Sequence, residues 1–117
     1  MKSAADFTYT RNDMVKDGEL FKITITPIVG AKFQLGEVFV TMGAAGLLTT
    51  DDITHALRRH AVGDWGEKAD AQVNEVGLKR QTDVMSVYGS GDSMFYVHTY
   101  LPAMEEPGTT ILLPEEW

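Results

Sequence analysis

His60-Ala61-Val62-Gly63-Asp64-Trp65-Gly66-Glu67 lies near the middle of a 117-residue chain and reads as the corner on which the fold turns. Upstream of it the spacing predicts a helix. Thr49 or Thr50 can accept from the first free N–H groups, and Asp51 and Asp52 sit against the positive end of the helix dipole. Ile53, Ala56, Leu57, His60 and Ala61 then fall at i, i+3, i+4, i+7 and i+8, a single apolar stripe. Arg58 and Arg59 occupy the last turn, and Gly63 is placed to stop the helix in a left-handed conformation. Downstream, Asp64 followed by Glu67 has the spacing of a capping box. A second helix is expected from there to about Leu78, with Ala69, Val73 and Val76 inward and Lys79-Arg80 at its negative end. On this reading His60, Gly63, Asp64, Trp65 and Glu67 are architectural, with Trp65 plugging the gap between two helices.

Outside the helices the apolar period falls to two. Residues 6–11 and 20–29 read as a hairpin over 1–32, with Asn12-Asp13 and Asp17-Gly18 as turn-formers and Pro27 ending the ladder. Gly36 to Gly43 is a third strand, and Ala44-Ala45-Gly46 a turn or single helical turn. Val84 to Tyr88 and Met94 to Tyr100 form a hairpin around Gly89-Ser90-Gly91-Asp92. The run Thr109-Thr110-Ile111-Leu112-Leu113 is a last strand buried on both faces. The order β-β-β-α-α-β-β-β predicts a single α+β domain over 1–117: an antiparallel sheet of about five to six strands with a helical hairpin packed on one face.

Net charge is −7 and uneven. Residues 1–32 carry five Lys/Arg against four Asp/Glu, and residues 33–117 carry five against thirteen. Such acidity disfavours direct nucleic-acid binding and suits a partner with a basic surface. Nothing approaches the roughly 18 apolar residues of a membrane span, and the N-terminal pattern is unlike a signal peptide. The absence of cysteine excludes disulfides, thiolate nucleophiles and cysteine zinc sites, and fits a cytoplasmic location.

Several motifs together resemble a known group. Thr41-Met42-Gly43-Ala44 after Gly36, Arg59-His60-Ala61, Gly63-Asp64-Trp65-Gly66-Glu67, Asn74-Glu75, Ser86-Val87-Tyr88 and Thr109 to Trp117 are similar, in the same order, to small proteins encoded on bacterial plasmids, phages and integrated elements. The resemblance covers residues 33–117 and leaves the 1–32 hairpin as an addition. Members usually carry an acidic-Arg-Ser/Thr stretch before the final Thr-Thr, where this chain has Met104-Glu105-Glu106-Pro107-Gly108. No activity is established for that group. The resemblance implies an accessory protein of a mobile element.

The candidate chemistry is thin. His60, Asp64 and Glu67, with His98, are a possible zinc, manganese or iron set, but capping accounts for both carboxylates and the stripe for His60. Gly89-Ser90-Gly91 resembles part of a hydrolase elbow without the helix that an elbow needs, and Ser93 fares no better. The same missing helix rules out a phosphate cradle. Phe95, Tyr96, Tyr100 and Tyr88 lack the basic groove of a base-stacking platform. No catalytic residue, metal or cofactor is therefore expected. Glu105, Glu106, Glu115 and Glu116 have no capping task, and are expected to cluster at one edge of the sheet as the binding surface for a basic host protein. The expectation is a non-enzymatic anti-defence protein acting on a CRISPR or restriction effector. The alternatives are a small metal-dependent enzyme using His60, Asp64 and Glu67, or a purely structural dimerisation module, a homodimer.

Overall fold

The run Gly108–Leu112 is buried at all five positions, so it must be flanked by strands on both edges and covered on both faces. The computed structural model, which describes residues 20–102 and 106–117, places it at the centre of a five-stranded sheet. In chain order the elements are β1 (Leu20–Ile23), β2 (Glu37–Thr41), α1 (Met42–Leu47), α2 (Thr50–Ala61), α3 (Ala71–Arg80), β3 (Asp83–Tyr88), β4 (Phe95–Tyr100) and β5 (Gly108–Leu112). The spatial order is β1-β2-β5-β4-β3.

The α+β class stands, but the sheet is mixed rather than antiparallel. β5 enters between β2 and β4, parallel to β2 and antiparallel to β4, with Val38 opposite Thr109 and Val97 opposite Ile111. Periodicity assigns strands and faces but carries no information on partners, which is why this pairing was not legible.

The expected strand 20–29 is shorter. Only 20–23 pairs, against β2; beyond it Ile25, Ile28 and Phe33 leave the sheet and pack on the core. The expected strand 6–11 lies outside the described residues. Gly36 does not belong to β2: its φ is +67°, and a Cβ there would fall 1.9 Å from the Pro107 carbonyl oxygen. Thr41 closes β2 and caps α1, its hydroxyl accepting from Ala44 N at 3.2 Å.

The first predicted helix is present as α2. Thr49 and Asp52 form a reciprocal capping box at its start. At its end Gly63 N donates to the His60 carbonyl and Asp64 N to the Arg59 carbonyl, the paired bonds of a Schellman stop, with Gly63 at φ +85°. Ala56, Leu57 and Ala61 enter one buried cluster with Val38, Val40, Tyr88, Phe95, Val97 and Ile111.

The second helix differs from the expectation in start, face and partner. It begins at Ala71, capped by Asp70, whose side chain accepts from Val73 N. Asp64 and Glu67 do not cap it. Gly66 has φ +87°, and a Cβ there would meet the Val87 carbonyl oxygen at 1.9 Å, so the chain at 64–70 cannot be right-handed helix throughout. Val73 and Val76 are not inward but 61% and 47% exposed. The inward residues are Gly77 and Asn74. The Asn74 amide donates to the Met85 carbonyl (2.8 Å) and accepts from Met85 N (2.9 Å), so it acts as a surrogate strand. Val87 N likewise donates to the Trp65 carbonyl. α3 therefore seals the outer edge of β3 instead of pairing with α2 as a hairpin. Among the described residues no helix is long and apolar enough to cross a membrane.

Candidate functional site

His60 projects from the inner face of α2 onto the sheet and is fully buried. Its Nδ1 lies 2.6 Å from Ser86 Oγ and its Nε2 2.8 Å from Thr99 Oγ1. Thr99 Oγ1 is 2.7 Å from Thr109 Oγ1, which is 2.7 Å from the Leu35 carbonyl oxygen. That carbonyl can only accept, which fixes the direction of each bond back to His60 Nε2. Thr109 donates to Leu35, Thr99 to Thr109, His60 Nε2–H to Thr99, and Ser86 to His60 Nδ1. Nε2–H is thereby fixed as a donor, and burial, which keeps the imidazole neutral, leaves Nδ1 to accept from Ser86. Burial pushes the His60 pKa down to about 3, with the charge of His98 adding to the effect.

A Ser–His pair at this distance has the outward form of a nucleophile and its base. Here Ser86, His60, Thr99 and Thr109 are all sealed from solvent, so no substrate reaches the hydroxyl. His60 is a core histidine on the apolar stripe, and its partners are side-chain hydroxyls. The role of Ser86, Thr99 and Thr109 as partners of His60 was not legible in the sequence. Their signal was a small hydroxyl at an inward position on each of three neighbouring strands, with Thr99 opposite both Val84 and Thr109.

Trp65 is buried as the expected plug, though it fills a space below α2 rather than between two helices. It stacks on Phe33 at 6.0 Å and meets the His60 ring edge-on at 5.6 Å. The Asp64 carboxylate pairs with Arg59 through Nε (2.8 Å) and Nη2 (3.2 Å). That bond lowers the Asp64 pKa and raises that of Arg59. The Arg59 guanidinium also lies 4.4 Å over the Tyr88 ring. The Tyr88 hydroxyl donates to the Asp64 carbonyl at 2.5 Å, and burial pushes its pKa up to about 12. Glu67 is exposed. His60, Asp64 and Glu67 thus do not converge, and among the described residues no three His, Asp or Glu side chains are placed to hold a metal ion.

The glutamates separate as well. Glu105 lies outside the described residues; Glu106 and Glu115 are exposed. Glu116 has a local task after all, its Oε1 accepting from Thr41 Oγ1 (2.6 Å) and Leu113 N (2.8 Å). Glu106 precedes β5 and Glu115 follows it, so these two stand at opposite ends of a central strand and not along one edge. At the Glu106 end, register aligns Asp83, Tyr100, Gly108 and Glu37 in one cross-strand row. Directly paired residues share a face, so Tyr100 is flanked by carboxylates. His98 sits 3.0 Å from Asp83, with the Trp117 ring 5.0 Å away, and Lys22 sits 3.1 Å from Glu37. Tyr88 and Phe95 occupy the opposite, buried face, so the four aromatics considered for stacking do not form one platform.

No protein-family model, curated protein or solved structure matches the chain.

Proposed function

We propose that this protein acts by non-enzymatic binding to a host protein with a basic surface, as an accessory of a mobile element and an inhibitor of a nucleic-acid-binding defence effector of the CRISPR or restriction type. The observation that carries the reading is the acidic row Asp83–Tyr100–Gly108–Glu37, with Glu106 two residues ahead of Gly108 at the same end. Three strand spacings set the outer carboxylates about 14 Å apart. Tyr100, 48% exposed between them, is a residue type enriched where proteins meet. The Lys22 contact to Glu37 is a solvent-exposed pair of the kind worth about 0–1 kcal/mol, so a partner's guanidinium can displace it, and the Asp83 carboxylate beside His98 is itself more than half exposed. The motif resemblance supports the mobile-element setting.

The test begins with affinity capture from host cells and mass spectrometry. Association of the captured partner is then timed against salt, for the wild type and for a Glu37→Gln, Asp83→Asn, Glu106→Gln variant. On this reading the rate falls steeply as the screening length shrinks to about 10 Å at 0.1 M, the variant associates more slowly, and DNA competes. Salt-independent association, or a partner that binds DNA equally well in the complex, refutes it.

A further inference from the structure

We propose that the outer face of α2 is a second docking surface, one that takes an acidic peptide segment bearing apolar side chains. Three open depressions meet there, of about 480, 300 and 180 Å³. The largest is walled by Pro27, Ile28, Val29, Arg58, Val62 and Asp64 among others. His55 and Arg59 are shared between it and the second, and Arg58 between it and the third. Shallow depressions in a connected run suit an extended chain better than a compact small molecule.

The largest depression is net positive, whereas the whole chain carries −7: Arg58 and Arg59 line it with a single carboxylate, Asp64. Arg58 and Arg59 are adjacent, and the Lys32 ammonium reaches to 3.0 Å from where a side chain at Gly63 would begin. Asp64 is paired with Arg59, while Asp51 and Asp52 keep their charge but sit in the first turn of α2, about two turns from Arg58. Arg58 is exposed and has no ion pair among the described residues. Cations at the end of a helix are favoured by its dipole, which accounts for the arginines alone.

The dipole does not account for the apolar surface beside them. Val29 is 96% exposed at the tip of the turn from Ile28 to Ala31, and Val62 is 39% exposed across the cleft. That turn is held in place, since Lys32 N donates to the Ala61 carbonyl at 2.8 Å and Ile28 packs on the core. A fixed apolar rim next to an uncommitted guanidinium matches a carboxylate next to an apolar side chain. With a net charge of −7 the molecule as a whole repels such a segment, so its binding here depends on the local cations Arg58 and Lys32.

The probe is a fluorescein-labelled peptide in which leucines alternate with pairs of glutamates, titrated with the full chain and read by anisotropy. Saturable binding is expected, and it should be lost when glutamine replaces glutamate in the peptide. Arg58→Glu and Val29→Ser should each weaken it by about tenfold or more, with the thermal midpoint unchanged because both side chains are exposed. Val73→Ser on α3 should leave it intact. Absence of saturable binding, equal affinity in Arg58→Glu, or an equal loss in Val73→Ser overturns the proposal. None of these results bears on the acidic row at the other surface.

Discussion

Acid should destabilise this fold through His60 in a measurable and separable way. In the native state both ring nitrogens are engaged and the pKa is pushed down to about 3, whereas the unfolded chain takes up the proton near 6.5. The unfolded state therefore binds more protons throughout that interval. Stability from this group is whole above about pH 6.5 and falls as pH drops towards 3, by about 1.4 kcal/mol per unit. At pH 5 the loss is about 2 kcal/mol, a large part of the stability of a small domain. The perturbation that isolates it is His60→Gln, which keeps a donor for Thr99 and removes the titration. At pH 7 the variant should be less stable by about 1–3 kcal/mol, because the buried Ser86 hydroxyl loses its acceptor. Urea unfolding of both proteins at several pH values gives the difference, in which the contributions of groups common to both largely cancel. That difference should shrink by about 2 kcal/mol between pH 7 and 5. Curves that fall in parallel would refute the buried neutral imidazole.

Trp65→Ala should cost about 3 kcal/mol or more by opening a cavity beside Phe33 and His60, and an unchanged thermal midpoint would contradict its burial. Asp70→Ala should lower the midpoint by the equivalent of about 1 kcal/mol through loss of the α3 cap. Asp64→Ala should lower it less, since its exposed pair with Arg59 is worth about 0–1 kcal/mol. Asn74→Ala should cost about 1–3 kcal/mol by stripping the partners of Met85 N and O, and hydrogen exchange at the Met85 amide should accelerate.

How far the sequence could be read depended on the kind of interaction. α2 was legible from cap to stop, because Thr49, the apolar stripe and Gly63 all signal locally. The burial of β5 was legible from an unbroken apolar run. The face of α3 was not, because Val73 and Val76 carry the apolar signal while Asn74 and Gly77 make the contact. Hydrogen bonding and close backbone approach chose that face over hydrophobic burial. Asp64-Trp65-Gly66-Glu67 matched a capping box by spacing, yet the left-handed Gly66 turned the chain elsewhere. The polar core around His60 needed Ser86, Thr99 and Thr109 from three strands, whose adjacency follows only from pairing. The acidic row of Asp83 and Glu37 was hidden for the same reason.

The central position of β5 has a kinetic corollary. Among the described residues it is the last of five strands to leave the ribosome, yet it alone joins the β1–β2 ribbon to the β3–β4 hairpin. Each two-stranded piece is marginal in water by itself, so neither can mature early. Parallel pairing of Val38 with Thr109 also closes a long loop, which slows the search. The nascent chain must therefore wait, with Val38, Val40 and Val97 uncovered, until Ile111 arrives between them. A chain cut ahead of Gly108 would be left as two ribbons without a common sheet, a natural client for chaperones.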